Sequence, residues 1–151
     1  MARWRRGEAD VDAAVASGDL QKLTGAAADG QRLLQKSALT LATARSVAER
    51  DPDSAFVLAY DAARQAATAV LAHQGLRPTT KGGHYAVEQA VRAQFGPGFR
   101  QFGALRRRRN ELEYPERPGD SASVEEADEA IGSAQAIVAA AQGLMDQLGI
   151  F

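Results

Sequence analysis

The sequence has no cysteine, which removes disulfides, thiolate chemistry and cysteine-ligated zinc or iron–sulfur sites from consideration. Only two histidines are present, His73 and His84, too few for a self-contained multi-histidine metal site. No cofactor is expected. No apolar run approaches the roughly 20 residues that a bilayer-spanning helix needs. The basic start Arg3-Trp4-Arg5-Arg6 leads into Gly7-Glu8-Ala9-Asp10, where a signal peptide would need an apolar stretch. A soluble, cytoplasmic protein with no membrane partner is the expectation. Neither sign of charge dominates: 18 Lys and Arg against 19 Asp and Glu leave a net charge of −1. That argues against a basic coat for nucleic acid over the whole surface and leaves room for a local patch.

β-Branched residues are scarce, and no stretch alternates cleanly over strand length. Alanine, the best helix former, supplies about a fifth of the 151 residues. The chain therefore reads as all-α. Its length suits one domain with one real core. Residues 1–23 form a short helical or irregular lead, with Asp10 to Ser17 stopped at Gly18 and a second short piece at Asp19–Leu23. Residues 24–151 read as an antiparallel bundle of four to five helices.

The first long helix starts between Thr24 and Gly30 and ends at Arg50, with Leu34, Ala38, Leu41, Ala44 and Ala48 in one apolar stripe. Asp51-Pro52-Asp53 stops it, and Asp53 or Ser54 can cap the next. That helix runs from about Ser54 to Gln74, with Phe56, Ala59, Tyr60, Ala63, Ala67, Val70 and Leu71 on one face. The face is mostly small, so a neighbour can approach closely. Leu76 to Gly83 reads as a loop. A short helix follows from His84 to Phe95, broken at Gly96-Pro97-Gly98. The next spans about Phe99 to Glu113 and ends before Pro115. The last runs from about Ser123 to Leu148, with acidic residues in its first turns, as the helix dipole favours.

The informative segment is Arg106-Arg107-Arg108-Arg109-Asn110-Glu111-Leu112-Glu113-Tyr114-Pro115. At about 100° per residue, Arg109 falls on the same arc as Phe102, Leu105 and Leu112. A guanidinium facing inward needs a partner or a solvated cleft. Asp61 or Glu113 could pair with it structurally, or Arg109 could face a cleft, even one between subunits, and bind phosphate there. Arg107 and Arg108 read as a solvated face. Asn110 suits a specific hydrogen bond in a helix interior. Tyr114 sits at the helix exit, able to fold towards Arg107 or Asn110, or serving only to end the helix before Pro115. His73 lies off the apolar stripe and reads as a surface residue. His84 follows Gly82-Gly83 and is either a plain first-turn residue or part of the cleft.

Four segments in this order resemble the HEPN superfamily: Ala59-Tyr60-Asp61-Ala62-Ala63-Arg64, Gly75-Leu76-Arg77-Pro78, Gly82-Gly83-His84-Tyr85, and Arg109-Asn110-Glu111-Leu112-Glu113-Tyr114-Pro115. The resemblance spans about Leu33 to Leu148 and is to small stand-alone bacterial members. It implies a helical bundle that dimerises. In active members an arginine, commonly followed by asparagine, works with a histidine four to six residues on, and the pair cleaves RNA without metal. Here Tyr114 stands where that histidine is expected, and no histidine follows His84. An unperturbed tyrosine titrates near 10, far above imidazole.

Two functions follow from the resemblance. The first is a non-catalytic binding or partner module for a nucleotide, RNA or protein, including the companion of a nucleotidyltransferase in a toxin–antitoxin-like system, with Tyr114 as the residue such a partner would modify. The alternative is a metal-independent endoribonuclease toxin. Its catalytic residues would be Arg109, Asn110 and Tyr114, with His84 able to reach the site from another helix. In either case Arg106, Arg107, Asp61 and Arg64 are candidate binding residues, and a homodimer is expected. A third reading is an unrelated helical bundle in which Arg109 belongs to a structural ion-pair network.

Overall fold

The structure is a computed structural model and describes residues 2–151. Among these residues are six α-helices: α1 (Glu8–Ser17), α2 (Gln31–Val47), α3 (Pro52–His73), α4 (Gly83–Phe95), α5 (Phe102–Glu113) and α6 (Val124–Leu144). Short 3-10 turns sit at Gly25–Ala27, Gly96–Phe99 and Met145–Gln147. Two short strands, β1 (Leu20–Lys22) and β2 (Leu76–Pro78), pair antiparallel with Leu20 opposite Pro78 and Lys22 opposite Leu76. No helix among the described residues is long and apolar enough to cross a membrane.

The chain is thus mostly helical, but not wholly so. The short piece expected at Asp19–Leu23 in a helical or irregular lead, and the loop expected from Leu76, hold the two strands. Three-residue strands are too short to show a period of two; what holds them is the burial of Leu20 and Leu76. Residues of the lead also pack onto the bundle. Val11 is fully buried, and the Trp4 indole N–H donates to the Gln94 carbonyl at 3.1 Å.

α3 is the centre. It packs against α2, α4, α5, α6 and β2. Besides the expected stripe, Ala55, Ala62, Ala66 and Ala69 are buried, so the helix is enclosed on more than one face. Small side chains make this close approach feasible. Gly30, at the start of α2, lies so near the Ala69 carbonyl that a β-carbon there would overlap it. On α2 the buried position is Ser37 and not Ala38, and the Ser37 hydroxyl donates to the Leu34 carbonyl at 2.6 Å. The N-cap of α3 is Asp51, two residues before Asp53 and three before Ser54, the caps the sequence suggested. Its carboxylate accepts from the Ser54 amide at 3.1 Å and the Ser54 hydroxyl at 2.6 Å, while Pro52 takes the first helical position. Asp53 instead accepts from the Ala122 amide just before α6.

The bundle is antiparallel only in part. The start of α2 meets the far end of α3, so those two oppose each other. The Asp53–Ala122 contact puts the starts of α3 and α6 together, so these two run the same way. α4 also follows the direction of α3: Tyr60 meets His84, and fourteen residues on Gln74 meets Gln94. The cause is the β2 excursion. Gly75, at φ 77°, turns the chain out of α3, and the segment through β2 returns it towards the middle of that helix. This return places the first turn of α4 beside Tyr60.

Gln74 and Gln94 are both fully buried and exchange two amide hydrogen bonds, at 2.7 and 3.0 Å. The Phe151 amide donates to the Gln74 carbonyl at 2.8 Å, so both ends of the described chain meet at this pair. Replacing one partner strands the other's amide in an apolar setting, at a cost of about 1–3 kcal/mol, whereas replacing both removes the orphan. Gln94→Met is therefore expected to lower stability in urea unfolding by that amount, and the double change Gln74→Met/Gln94→Met to recover most of it. Additive losses in the double variant would contradict this reading.

Candidate functional site

Three helices meet over one aromatic ring. α3 contributes Tyr60, Asp61 and Arg64. α4 contributes His84, Tyr85 and Glu88. α5 contributes Arg106, Arg109 and Glu113. Within each helix the spacing of three and four residues places such groups on one side.

Tyr60 is fully buried, and its hydroxyl meets His84 Nδ1 at 3.0 Å. Its ring packs at 5.6 Å from Phe102 and 5.8 Å from the His84 ring, and the Arg109 guanidinium lies 5.8 Å from its centroid. Burial pushes the Tyr60 hydroxyl up to about 12, against the pull of Arg64, Arg109 and Arg106 in the opposite direction. At neutral pH the hydroxyl is protonated and donates. Nδ1 of neutral His84 therefore accepts, and the imidazole proton sits on Nε2. His84 is itself held below the ordinary 6.5, first by desolvation and then by the positive charges of Arg64 and Arg109, with Asp61 opposing them.

The arginines differ in how far their donors are used. Arg106 Nε donates to Glu88 at 2.7 Å, and Glu88, only 2% exposed, also takes Arg92 at 3.4 Å. A β-carbon at Gly103 would overlap the Glu88 carboxylate, so glycine makes room for this buried acid. Arg106 also faces the Tyr85 ring at 5.8 Å. Arg108 is not a solvated residue as the sequence implied. It bonds Glu126 at 2.6 Å, Glu111 at 2.7 Å and the carbonyl of Ser121 at 3.0 Å, fastening the loop before α6. Those acidic partners raise its already high pKa. Arg107 is exposed and forms no ion pair.

Arg64 and Arg109 are held loosely. Arg64 has Asp61 at 3.9 Å, beyond hydrogen-bond length. Arg109 donates to the Asn110 side chain at 3.2 Å and has Glu113 at 3.8 Å. So Glu113, and not Asp61, is the carboxylate beside Arg109. The Nε atoms of Arg64 and Arg109 are both buried without a partner. A desolvated donor left unused costs about 1–3 kcal/mol, more when charged. Two such guanidinium donors near one tyrosine make an environment suited to an anion.

Comparison with protein-family models, curated proteins and solved structures returned no match. The assignment of chemistry accordingly rests on the residues themselves.

Of the candidates from sequence, Arg109, Arg64, Asp61, Arg106 and His84 gather around Tyr60. Asn110 is exposed and contacts the group only through Arg109. Tyr114 is 69% exposed and borders a different recess, with Asn110, Glu111, Glu116, Arg117 and Asp120. It therefore folds to the Asn110 side. His73 is half-buried near Asp29, at 3.9 Å. Sequence reasoning placed Tyr60 on an apolar stripe and within one segment of the resemblance but gave it no role at the site, and it did not single out Glu88. The usable signal for Tyr60 was a tyrosine inside an alanine face, since a buried phenol needs a partner for its hydroxyl.

The unfolded chain takes up a proton on this histidine near 6.5 and the folded protein only below that. Protons then bind the unfolded state more strongly, so stability falls as pH drops from 6.5 through the folded value. In histidine NMR titrations His84 is expected to titrate below 6.5, and Arg109→Ala to raise its midpoint. An unchanged midpoint would show that Arg109 does not act on the imidazole.

Proposed function

We infer that this chain is a HEPN-like module that binds RNA or a nucleotide at the Arg64–His84–Arg109 cluster without cleaving it. The observation that carries this reading is the pair of buried guanidinium donors without partners near Tyr60, Arg109 at 5.8 Å from its ring and Arg64 acting on its hydroxyl through charge. Exposed Arg107 extends positive charge along α5. Binding without cleavage is favoured because proton-transfer catalysis needs an acid and a base. The cluster holds one group that titrates near neutrality, His84; Tyr60 at about 12 supplies no second. Tyr114 lies outside the cluster. A homodimer joined near this face, or a nucleotidyltransferase or antitoxin partner acting at exposed Tyr114, fits the same reading.

The second reading, a metal-independent endoribonuclease, draws on one specific contact. His84, distant in sequence from Arg109, shares Tyr60 with it, and a second copy could bring the missing proton carrier.

Incubation with total RNA in EDTA separates the two. Intact RNA retained by the protein, with affinity reduced about tenfold (about 1.4 kcal/mol) and a shallower salt dependence in Arg109→Ala, is the expected outcome. Cleavage that disappears in Arg109→Ala would establish the nuclease reading instead. Neither binding nor cleavage would overturn both.

A further inference from the structure

We propose that Arg64, Arg109 and His84 form one site for a phosphate group, and that the anion is bound together with a proton taken up by His84. The proposal rests on the binding reading above and specifies the chemistry of the group the site takes.

The geometry supplies the parts from three helices. Arg64 on α3 and Arg109 on α5 each have an unpartnered buried Nε, and their carboxylate neighbours stand off at 3.9 and 3.8 Å. An oxyanion reaching these two Nε–H groups would meet donors that are already desolvated, so little further desolvation of the donors is required. His84 on α4 is tied through Nδ1 to Tyr60, which fixes the ring and leaves Nε2–H free to donate. Arg106 is less suited to this task, because its Nε is bound to Glu88 at 2.7 Å.

Proton uptake follows from the same charges. The charges acting on His84 and Tyr60 are Asp61 and Arg64 from α3 and Arg106 and Arg109 from α5, with Glu88 of α4 against Arg106 and Glu113 of α5 near Arg109. In the empty site the guanidiniums oppose a third positive charge, and burial opposes it further. An anion between them cancels that repulsion and favours imidazolium. The proton comes from water and enters at Nδ1. The Tyr60 hydroxyl then turns from donor to acceptor, and Nε2–H still faces the ligand. One N–H bond forms at Nδ1 as the proton leaves hydronium or a buffer acid, and no other covalent bond changes. By linkage, affinity rises as pH falls between the ligand-bound and ligand-free midpoints of His84.

Sulfate is the appropriate first probe, since it mimics phosphate but does not itself titrate near neutral pH. The two histidine resonances are followed against pH in saturating sulfate and in chloride of equal ionic strength. The expected result is a His84 midpoint raised in sulfate above its value in chloride. Arg64→Ala should abolish the difference while leaving the folded spectrum intact. Equal His84 midpoints in sulfate and chloride would overturn the proposal, as would a shift that persists in Arg64→Ala. Adenosine 5′-monophosphate and a 5′-hydroxyl oligoribonucleotide then distinguish terminal from internal phosphate, a His84 shift with either one supporting the site and with neither overturning it. RNA retention without a His84 shift would sink this proposal alone, whereas a His84 shift with sulfate but no RNA or nucleotide retention would sink the reading on which it rests.

Discussion

The hydrogen bond between the Tyr60 hydroxyl and His84 Nδ1, 3.0 Å long and set on a helix enclosed by its neighbours, is the contact on which the candidate site depends. Tyr60 can be fully buried because the residues around it on α3 are mostly alanine, which lets α2, α5 and α6 close in. Once the ring is buried its hydroxyl requires a partner, and the first turn of α4 supplies one. The same burial raises the hydroxyl's pKa and makes it a dependable donor. A phenol in water would impose no such constraint on the imidazole.

The run of four arginines divides into separate roles because each faces a different neighbour. Arg106 reaches a buried glutamate that a glycine makes room for. Arg108 reaches Glu126 and the carbonyls of the following loop, and so fastens α5 to the start of α6. These two are spent on structure. Arg109, between the apolar positions Leu105 and Leu112, has neither kind of partner within close range. Its side chain is 21% exposed and lies against Tyr60. Arg64 is in a similar position on α3, with its carboxylate neighbour Asp61, three residues earlier, standing off at 3.9 Å. Local charge compensation thus leaves two cations in the run's vicinity underused, although the whole chain is close to neutral.

Much of the helical framework is legible in the sequence because prolines and glycines punctuate it. Pro52, Gly75, Pro97 and Pro115 each lie at or beside a boundary of an observed helix. The inward direction of Arg109 also follows from counting residues around the helix, a local property. His84 is different. Its place beside Tyr60 depends on β2 pairing with β1 and carrying the chain back along α3, and three-residue strands leave no periodic trace. The parallel course of α3 with α4 and α6 depends on connections whose paths no local pattern specifies. Ser37 replaced Ala38 in the core for a simpler reason: its hydroxyl is satisfied by its own helix, at the Leu34 carbonyl, so polarity did not exclude it.

Tyr114 and His84 illustrate why spacing along one helix is a poor guide to which groups share chemistry. Tyr114 is five residues from Arg109, yet the helix ends there before Pro115 and the ring turns to the recess beside Asn110 and Asp120. Asp120 caps that turn by accepting from the Glu116 and Arg117 amides, both at 2.9 Å, and Arg108 holds it from the other side. The loop is therefore braced in a form that keeps Tyr114 at the surface. His84 is 25 residues from Arg109 in sequence but shares a buried ring with it. A site assembled in this way has cations from two helices and a titratable group from a third, so displacement of α4 alone would separate proton binding from anion binding while leaving the guanidiniums in place.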